Sequence, residues 1–254
     1  MIRNIVLIGS GNLATQLGIA LVVKGFNIRQ VYSLNLQNAQ MLAHKLNAYA
    51  TSDFSELQTD ADLYVLAVSD SALLSVVEQL PKVKGTVVHT AGSVNMDLLI
   101  RFNKYGIFYP FQTFTKEREV NFSHIPILLE ANTREAYSEL KFFAGQISDT
   151  VLECDSEQRK QIHLAAVFAC NFTNHMYAIA HEILKKSGVS FDVLKPLILE
   201  TALKTESLDP LKAQTGPAVR GDKNVMDKHL DLLKEEDELH VLYSKISRRI
   251  ARYK

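Results

Sequence analysis

The fold is decided near the start of the chain, by the segment Ile5-Val6-Leu7-Ile8-Gly9-Ser10-Gly11-Asn12-Leu13-Ala14. Its first four residues are all apolar, as in a strand that helices cover on both faces. Its last six residues follow the spacing Gly-x-Gly-x-x-Ala, at the point where a helical pattern begins. In such a turn the first glycine permits a sharp bend and the second lets a ligand approach the backbone. The small third residue allows the helix to pack closely on the strand.

This spacing is typical of a turn that binds the pyrophosphate of a dinucleotide. The free N–H groups at the start of the helix, together with the positive end of its dipole, face the phosphates. The sequence therefore predicts a cofactor site formed by Gly9, Gly11, Asn12, Leu13 and Ala14. The alternative is a turn with a structural role only, because glycines are common at turns.

Outward from this turn, strand and helix patterns alternate as far as about residue 153. Alternation of this kind is typical of βαβ units, so the sequence predicts an α/β fold with a doubly wound, mostly parallel Rossmann sheet. The predicted strands are residues 5–8, 28–33, 48–50, 63–68, 86–90, 107–109, 125–129 and 147–152. The predicted helices are residues 12–24, 37–46, 71–80, 96–103 and 134–144.

Beyond residue 153 the strand patterns give way to four long helical ones. They cover residues 156–187, 192–205, 222–234 and 236–252. The sequence thus predicts two domains. Residues 1–153 form a dinucleotide-binding Rossmann domain, and residues 154–254 form an all-helical domain for dimerisation and substrate binding. The apolar faces of the long helices predict a homodimer.

The composition excludes several classes of protein. The 254 residues carry 28 Lys+Arg and 28 Asp+Glu, so no net charge attracts a nucleic acid. No apolar run approaches the ~20 residues that span a bilayer, which argues against a membrane protein. Cys154 and Cys170 lack the spacing of a metal site or of a disulfide framework. We therefore expect no metal and a cytoplasmic location.

The end of the second predicted strand bears on the choice of nucleotide. NAD-binding sites carry an acidic residue there for the ribose 2′-hydroxyl, whereas this chain has Ser33, Leu34 and Asn35. Without an acidic group there is no repulsion against a 2′-phosphate, and Ser33 and Asn35 can donate hydrogen bonds to one. The arginine that usually binds this phosphate is absent. The sequence therefore favours NADP as the cofactor and leaves NAD open.

Two more predicted strands end in residues at the edge where ligands of open α/β sheets bind. Val68 and Ser69 end one strand and His89 ends the next, and we expect all three to contact the cofactor. Ser69 is equally compatible with the N-cap of the helix that follows. His89 is also compatible with a hydrogen-bonded residue of the core.

The long predicted helix over residues 156–187 is apolar except for a few polar side chains. At 100° per residue, His163 and Asn174 project near one line, and Asn171 lies within about one turn of Asn174. We predict that the two asparagines hold a substrate carbonyl or carboxylate and that His163 or His175 donates a proton. The alternative is hydrogen bonding between helices, or a dimer interface with buried polar residues.

Two further segments predict substrate contacts. Gln112 and Thr113 lie beyond a predicted strand end, where they are expected to line a cleft. Thr215 and Arg220 precede a predicted helix for which Asp222 is a candidate N-cap. Arg220 is a fixed cation suited to a substrate carboxylate or a cofactor phosphate, or else to a salt bridge.

Five motifs of the chain resemble one family. They are Gly-Ser-Gly-Asn-Leu-Ala at residues 9–14, His-Thr-Ala-Gly-Ser at 89–93, Tyr-Pro-Phe-Gln-Thr-Phe at 109–114, Ala-Ala-Val-Phe-Ala-Cys-Asn-Phe-Thr-Asn-His at 165–175 and Thr-Gly-Pro-Ala-Val-Arg-Gly-Asp at 215–222. The chain is similar to bacterial Rossmann-like NADP oxidoreductases. In plan it is also similar to pyrroline-5-carboxylate reductase and the 6-phosphogluconate dehydrogenase superfamily.

The resemblance implies a nucleotide-binding N-terminal domain, a helical C-terminal domain that often dimerises, and an active site in the cleft between them. It implies no particular substrate. Relatives often place a catalytic lysine and asparagine on the long helix, but its central turns in this chain carry no lysine. Their mechanism is therefore not transferred to this chain.

Two hypotheses for the function result. The first is an NADP-dependent oxidoreductase that transfers hydride to or from a small carbonyl or imine compound. The second is a nucleotide-binding regulator or scaffold that keeps the cofactor fold without turnover. The oxidoreductase is the leading hypothesis. The missing catalytic lysine is a point for the second one, and the complete dinucleotide turn is common to both.

Overall fold

The computed structural model describes residues 1–253, and within them eight strands form a single sheet with the order β3-β2-β1-β4-β5-β6-β7-β8. The strands are β1 (Asn4–Ile8), β2 (Asn27–Tyr32), β3 (Tyr49–Thr51), β4 (Leu63–Leu66), β5 (Thr86–His89), β6 (Tyr105–Pro110), β7 (Ile127–Ala131) and β8 (Val151–Glu153). All neighbours from β3 to β6 are parallel, β7 is antiparallel to β6, and β8 is parallel to β7. The predicted mostly parallel Rossmann sheet is confirmed, and its first six strands follow the order 3-2-1-4-5-6 of that fold.

Eleven α-helices lie within the same residues, and the predicted helical C-terminal region is confirmed. They are α1 (Asn12–Val23), α2 (Leu36–Leu46), α3 (Asp70–Gln79), α4 (Arg134–Ala144), α5 (Ser156–Ala166), α6 (Thr173–Lys186), α7 (Lys195–Ser207), α8 (Pro210–Ala213), α9 (Pro217–Arg220), α10 (Lys223–Leu232) and α11 (Asp237–Ile250). None of the helices described over residues 1–253 is both long and apolar enough to cross a bilayer.

The side chains of β1 alternate between two apolar clusters, as the two-residue period of a strand requires. Ile5 and Leu7 join one cluster with side chains of α1, α2 and α4. Val6 and Ile8 join the other with side chains of α3. All four are fully buried, and each contributes roughly 1.5–3 kcal/mol through its burial. This explains why residues 5–8 of the first strand are all apolar.

The carboxyl ends of β1, β4, β5 and β6 meet at one edge of the sheet, because these strands are parallel. The chain adds β2 and β3 on one side of β1, then crosses over to add β4 on the other side. This reversal between β1 and β4 is the switch point at which open α/β sheets bind their ligands. Gly9 follows β1 directly at that point.

The helix predicted over residues 96–103 is wrong in length. Only a 3₁₀-helix, Met96–Leu99, is present, and Asn95 caps it by accepting a hydrogen bond from the backbone N–H of Asp97. The next strand begins earlier than predicted, at Tyr105. The segment between β5 and β6 therefore has no room for a longer helix.

The strand predicted over residues 147–152 is also displaced, to β8. The hydroxyl of Ser148 donates to the carbonyl oxygen of Ile125 at 2.7 Å and accepts a hydrogen bond from the N–H of Thr150 at 3.1 Å. These bonds close a turn ahead of the strand. The apolar Ile147 that suggested a strand belongs instead to the core beneath that turn.

The helix predicted over residues 156–187 is interrupted by a π-helical segment, Val167–Phe172, between α5 and α6. A π-helix closes its hydrogen bonds five residues apart, so each residue advances around the axis by less than in an α-helix. The angular alignment predicted for His163 and Asn174 at 100° per residue is therefore wrong.

By its internal contacts the chain divides into two compact units, Met1–Asn174 and the residues from His175 onward. The division thus falls after residue 174 and not after residue 153, because α5 is attached to the sheet. The fully buried guanidinium of Arg159 donates to Glu130 at 2.6 Å and to the carbonyl oxygen of Val94 at 2.6 Å. The functions predicted for the two domains stay predictions.

Candidate functional site

Gly9 allows the bend after β1 and the contact of that bend with β4. Its φ is +124°, and a Cβ at this position would lie 2.2 Å from the carbonyl oxygen of Ala67. Any side chain would therefore be strained and would also collide with backbone. Ala14, the small third residue of the turn, is fully buried, in agreement with its predicted role in helix packing.

Gly11 differs from Gly9 because nothing in the described structure requires a glycine there. Its φ is −74°, and no atom lies within 4 Å of the position that a Cβ would occupy. Helix α1 starts at this open space without a capping side chain and without an acidic residue in its first turn. Its first N–H groups thus remain available to an acceptor. Backbone and space together fit the pyrophosphate of a dinucleotide.

A pocket of about 570 Å³ opens next to this turn. Its lining includes Ser10, Thr15, Asn38, Met41, Lys45 and Lys116. The side chain of Asn12 donates to the carbonyl oxygen of Phe114 at 2.9 Å, and Gln16 donates to that of Thr115 at 2.8 Å. The segment after β6 is thereby held against α1. Because the Asn12 side chain is already hydrogen-bonded to Phe114, only its backbone N–H is available for the predicted cofactor contact.

At the end of β2 the structure places Ser33 against the glycine turn. The hydroxyl of Ser33 accepts a hydrogen bond from the hydroxyl of Ser10 at 2.8 Å. Asn35 caps α2 by accepting from the N–H of Asn38 at 3.1 Å, which leaves its amide NH₂ as a donor. Leu34 is 89% exposed. Residues 33–35, which follow β2, therefore present neutral donors and an apolar side chain.

Val68 and Ser69 lie across the switch point from the glycine turn. The side chain of Val68 would be 3.3 Å from a Cβ at Gly9. Ser69 occupies the N-cap position of α3, but its hydroxyl bonds to that of Ser71 at 3.2 Å and caps no backbone N–H. The exposed Ser69 hydroxyl thus stays compatible with the predicted cofactor contact.

His89, at the end of β5, is fully buried. Its Nδ1 accepts from the N–H of Ala91 at 3.2 Å, and its Nε2 lies 3.4 Å from the carbonyl oxygen of Asn95. Burial lowers the pKa of His89 to about 4, and the nearby charge of Arg159 acts in the same direction. The imidazole is therefore neutral and fixes the loop that follows β5. Both of its nitrogens are engaged, which is the arrangement of a core residue.

His163, the predicted proton donor, meets the carboxyl edge of the sheet. Its Nδ1 lies 3.0 Å from the hydroxyl oxygen of Tyr109, near the end of β6, and both side chains are partly buried. The two rings pack edge to face with centroids 6.2 Å apart. Gly92, three residues after β5, lies directly against the pair. An acid–base group is thus held at the same edge as the glycine turn.

Known families match both halves of the chain. A family described as "NADP oxidoreductase coenzyme F420-dependent" matches residues 4–91, and the domain of unknown function DUF2520 matches residues 125–250. A Bacteroides fragilis protein assigned as an NADP oxidoreductase is 48% identical in sequence. Its crystal structure superimposes with a TM-score of 0.95, over 99% of this chain and 98% of that one. The chain belongs to the NADP oxidoreductase family.

More distant structures share the fold. A pyrroline-5-carboxylate reductase from Coxiella burnetii has a TM-score of 0.60 at 17% identity, over 99% of this chain and 98% of that chain. An imine reductase from Myxococcus stipitatus, solved in complex with NADP⁺, has a TM-score of 0.64 at 15% identity, over 98% and 93%. No curated protein matches the chain in sequence. The predicted resemblance is confirmed, as is the prediction of an oxidoreductase, and NADP is the nucleotide that the family name specifies.

In this NADP oxidoreductase, the predicted substrate asparagines lie beside an irregular stretch of helix. Asn171 is in the π-helical segment and Asn174 in the first turn of α6. Both are exposed, and within residues 1–253 neither side chain makes a hydrogen bond. π-helical segments are frequent at functional sites. The two amides stay candidates, although within residues 1–253 no hydrogen bond joins them to His163.

The other predicted substrate residues belong to both compact units. Gln112 accepts a hydrogen bond from the N–H of the adjacent Thr113 at 2.8 Å, which closes a local turn on the exposed segment after β6. Thr215 and Arg220 are exposed residues of the second unit. Asp222 caps α10 by accepting from Val225 at 3.3 Å, as predicted. Across residues 1–253 no three His, Cys, Asp or Glu side chains cluster as metal ligands.

Sequence reasoning missed Tyr109 and Gly92. Both fall inside quoted motifs, at the start of residues 109–114 and within residues 89–93. The sequence of neither motif indicates that these two residues contact a histidine on a helix more than fifty positions further along the chain. The available signal was a glycine and a tyrosine beside the ends of two predicted parallel strands, which share one edge of a sheet.

Replacement of Gly11 by serine separates cofactor binding from stability. Serine is a favoured N-cap residue, so α1 keeps its start, but its hydroxyl fills the open space and competes for the first N–H groups. We expect a urea-unfolding free energy within about 1 kcal/mol of wild type. NADPH affinity, from a fluorescence titration, is expected to fall at least about tenfold.

The matched control is Gly9→Ser. It should lose stability, because its side chain would be strained at a φ of +124° and would meet the carbonyl oxygen of Ala67. Wild-type NADPH affinity in Gly11→Ser would show that the phosphates do not bind at this turn.

The buried His89 makes stability depend on pH. Its pKa is about 4 in the folded chain against 6.5 for an ordinary histidine, so between these values the unfolded chain binds more protons. The free energy of unfolding should therefore fall as the pH is lowered from 6.5 to 4, by up to about 3 kcal/mol. His89→Gln keeps a donor and an acceptor but does not titrate. Urea unfolding at pH 7 and 4.5 should show a smaller loss in this variant.

The control for this measurement is His124→Gln, at an exposed histidine whose ring makes no hydrogen bond within residues 1–253. It should keep the wild-type dependence on pH. An equal loss in His89→Gln and wild type would mean that His89 is not held neutral by burial.

Proposed function

We propose that the chain uses NADP to transfer hydride to or from a small carbonyl or imine compound, at the carboxyl edge of its sheet. The observation that carries this proposal is the open space over Gly11 at the start of α1, next to the switch point between β1 and β4. When bound, the cofactor supplies or accepts the hydride. Membership of the NADP oxidoreductase family supports the same reaction class.

NADP, rather than NAD, is favoured by the charges around the turn. No acidic side chain follows β2, where Ser33 and Asn35 offer hydroxyl and amide groups. Lys45 and Lys116 line the adjacent pocket and supply positive charge. A 2′-phosphate would meet donors and cations here. The cations of this pocket offset the missing arginine at Leu34.

We assign the proton transfer to His163. Its Nδ1 is bound to Tyr109, whereas its Nε2 has no hydrogen-bond partner within residues 1–253. The free nitrogen is available to the oxygen or nitrogen of a substrate that gains or loses hydride at carbon. Asn171 and Asn174 are proposed to hold the substrate carbonyl or carboxylate. Gln112, Thr113, Thr215 and Arg220 stay proposals for substrate binding.

Nucleotide binding and turnover together test this function. NADPH, NADP⁺, NADH and NAD⁺ are titrated against the protein, and NADPH is expected to bind at least about tenfold more tightly than NADH. Oxidation of NADPH is then followed at 340 nm with a panel of imines, 2-keto acids and 3-keto acids. His163→Gln should lower kcat by about a hundredfold or more at unchanged NADPH affinity.

His175→Gln is the matched variant, because His175 is the alternative donor and its exposed side chain makes no hydrogen bond within residues 1–253. It should retain near wild-type turnover. Loss of activity in His175→Gln alone would move the proton donor to that residue. Binding of NADPH without turnover of any panel compound would favour the regulator or scaffold, and no binding of any nucleotide would exclude both functions.

We also propose that the chain forms a homodimer. Leu164, Phe168 and Phe172 are 53%, 63% and 48% exposed on α5 and the π-helical segment, and an exposed run of large apolar side chains favours association. Light scattering at micromolar concentration should give twice the chain mass of 28.5 kDa. Phe168→Asp is expected to lower this mass, whereas a monomeric wild type would contradict the proposal.

A cytoplasmic location is proposed on the basis of the two free cysteines. Cys154 and Cys170 form no disulfide, and Cys170 is exposed. Exposed thiols are stable in a reducing compartment. Fractionation of cells with an antibody to the chain tests this location, and recovery from an extracellular or periplasmic fraction would contradict it.

A further inference from the structure

We propose that Tyr109 is a positioning residue for His163. The hydroxyl of Tyr109 keeps a proton on Nε2 of the His163 imidazole in the resting protein. The inference rests on the proposed function in one respect, that His163 donates the proton. The arrangement itself stands on the geometry of three segments of the first unit: β6, the loop after β5, and α5. Nothing in the sequence motifs or the family match assigns a role to Tyr109.

The Tyr109–His163 pair is enclosed on the side of Nδ1. The tyrosine hydroxyl lies 3.0 Å from Nδ1. A Cβ on Gly92 would lie 2.6 Å from the same nitrogen and 2.9 Å from the hydroxyl oxygen. Because any larger residue at 92 would push the two groups apart, the glycine is what permits their hydrogen bond. The ring is thus held through Nδ1, and Nε2 is the nitrogen left for a ligand.

We assign the tyrosine hydroxyl as the donor of this hydrogen bond when the ring is neutral. Burial, and secondarily the negative charge of Asp70, raise the pKa of Tyr109, against an opposing effect of Arg159. The hydroxyl therefore keeps its proton and is able to donate a hydrogen bond to Nδ1 of the neutral ring. In a neutral imidazole whose Nδ1 accepts, the ring proton is on Nε2.

In the protonated ring, Nε2 is again the nitrogen whose proton faces the substrate. Both nitrogens of an imidazolium carry protons, so Nδ1–H donates to the hydroxyl oxygen of Tyr109 while Nε2–H faces the substrate. Donation breaks the Nε2–H bond and transfers that proton to the substrate oxygen or nitrogen. The ring is left transiently with its one proton on Nδ1, donated to Tyr109, until Nε2 takes up another proton from solvent. The hydroxyl can serve as donor or acceptor, so it holds the ring in both charge states.

Tyr109→Phe removes the hydroxyl alone and tests the inference without cofactor or substrate. In protein labelled with ¹⁵N-histidine, the signals of His163 are identified by their loss in His163→Gln. In wild type we expect the neutral ring to carry its proton on Nε2. In Tyr109→Phe we expect the fraction with the proton on Nδ1 to rise at least about twofold. Where turnover is measurable, kcat should fall about tenfold or more at unchanged KM and NADPH affinity.

Tyr105→Phe is the matched control. Tyr105 lies on the same strand, and within residues 1–253 its hydroxyl makes no hydrogen bond. This variant should leave both the His163 signals and kcat as in wild type. Gly92→Ala provides a second variant that keeps the hydroxyl but separates the pair, and we expect it to change the His163 signals as Tyr109→Phe does.

The outcomes distinguish this inference from the proposed function. Wild-type ¹⁵N signals for His163 in Tyr109→Phe would overturn the inference, whatever the activity. Changed signals together with full turnover in His163→Gln would support the positioning of the ring and exclude His163 as the proton donor. Changed signals with a kcat loss shared by Tyr109→Phe and His163→Gln would support both.

Discussion

The close approach of Gly9 to the carbonyl oxygen of Ala67 is the contact on which the site depends. It brings the ends of β1 and β4 together at the switch point, with no side chain between them. Because the bend uses a positive φ that glycine adopts freely, the chain turns directly from a buried strand into the start of α1. The first N–H groups of that helix therefore meet open space instead of protein. Two glycines two positions apart thus have opposite surroundings, backbone at Gly9 and open space at Gly11.

A second constraint places the acid–base group at the same edge of the sheet. The guanidinium of Arg159 is fully buried, and its pairing with Glu130 and the carbonyl oxygen of Val94 attaches α5 to the sheet and to the loop after β5. Its Nε has no partner within residues 1–253, so the pairing is incomplete, and an incompletely paired buried charge stabilises a fold weakly. The main effect of this pairing is to position α5. Arg159 fixes the helix one turn before His163, so that the imidazole ring reaches Tyr109.

The two histidines at this edge show how surroundings divide one residue type between two roles. His89 is buried with both nitrogens engaged by its own loop, and burial lowers its pKa to about 4. His163 is partly buried, with one nitrogen bound to Tyr109 and the other free within residues 1–253. A neutral, fully bonded imidazole orders the segment that carries Gly92, and Gly92 then permits the second imidazole to bind its tyrosine. His89 thus supports the histidine that we propose as the proton donor.

The sequence by itself determined the alternating strands and helices, the class of a mostly parallel Rossmann sheet and the glycine turn. These depend on local patterns: four apolar residues before Gly9, and a helix that begins at Asn12. It did not determine the surroundings of each polar side chain. Ser33 is bonded to Ser10, His89 is enclosed by its own loop, and the π-helical segment alters the angle between His163 and Asn174. Only the tertiary structure joined Gly92, Tyr109 and His163. Such contacts join residues that are far apart in the chain. They depend on the pairing of strands and on the burial of Arg159, because a local sequence pattern carries information only about near neighbours.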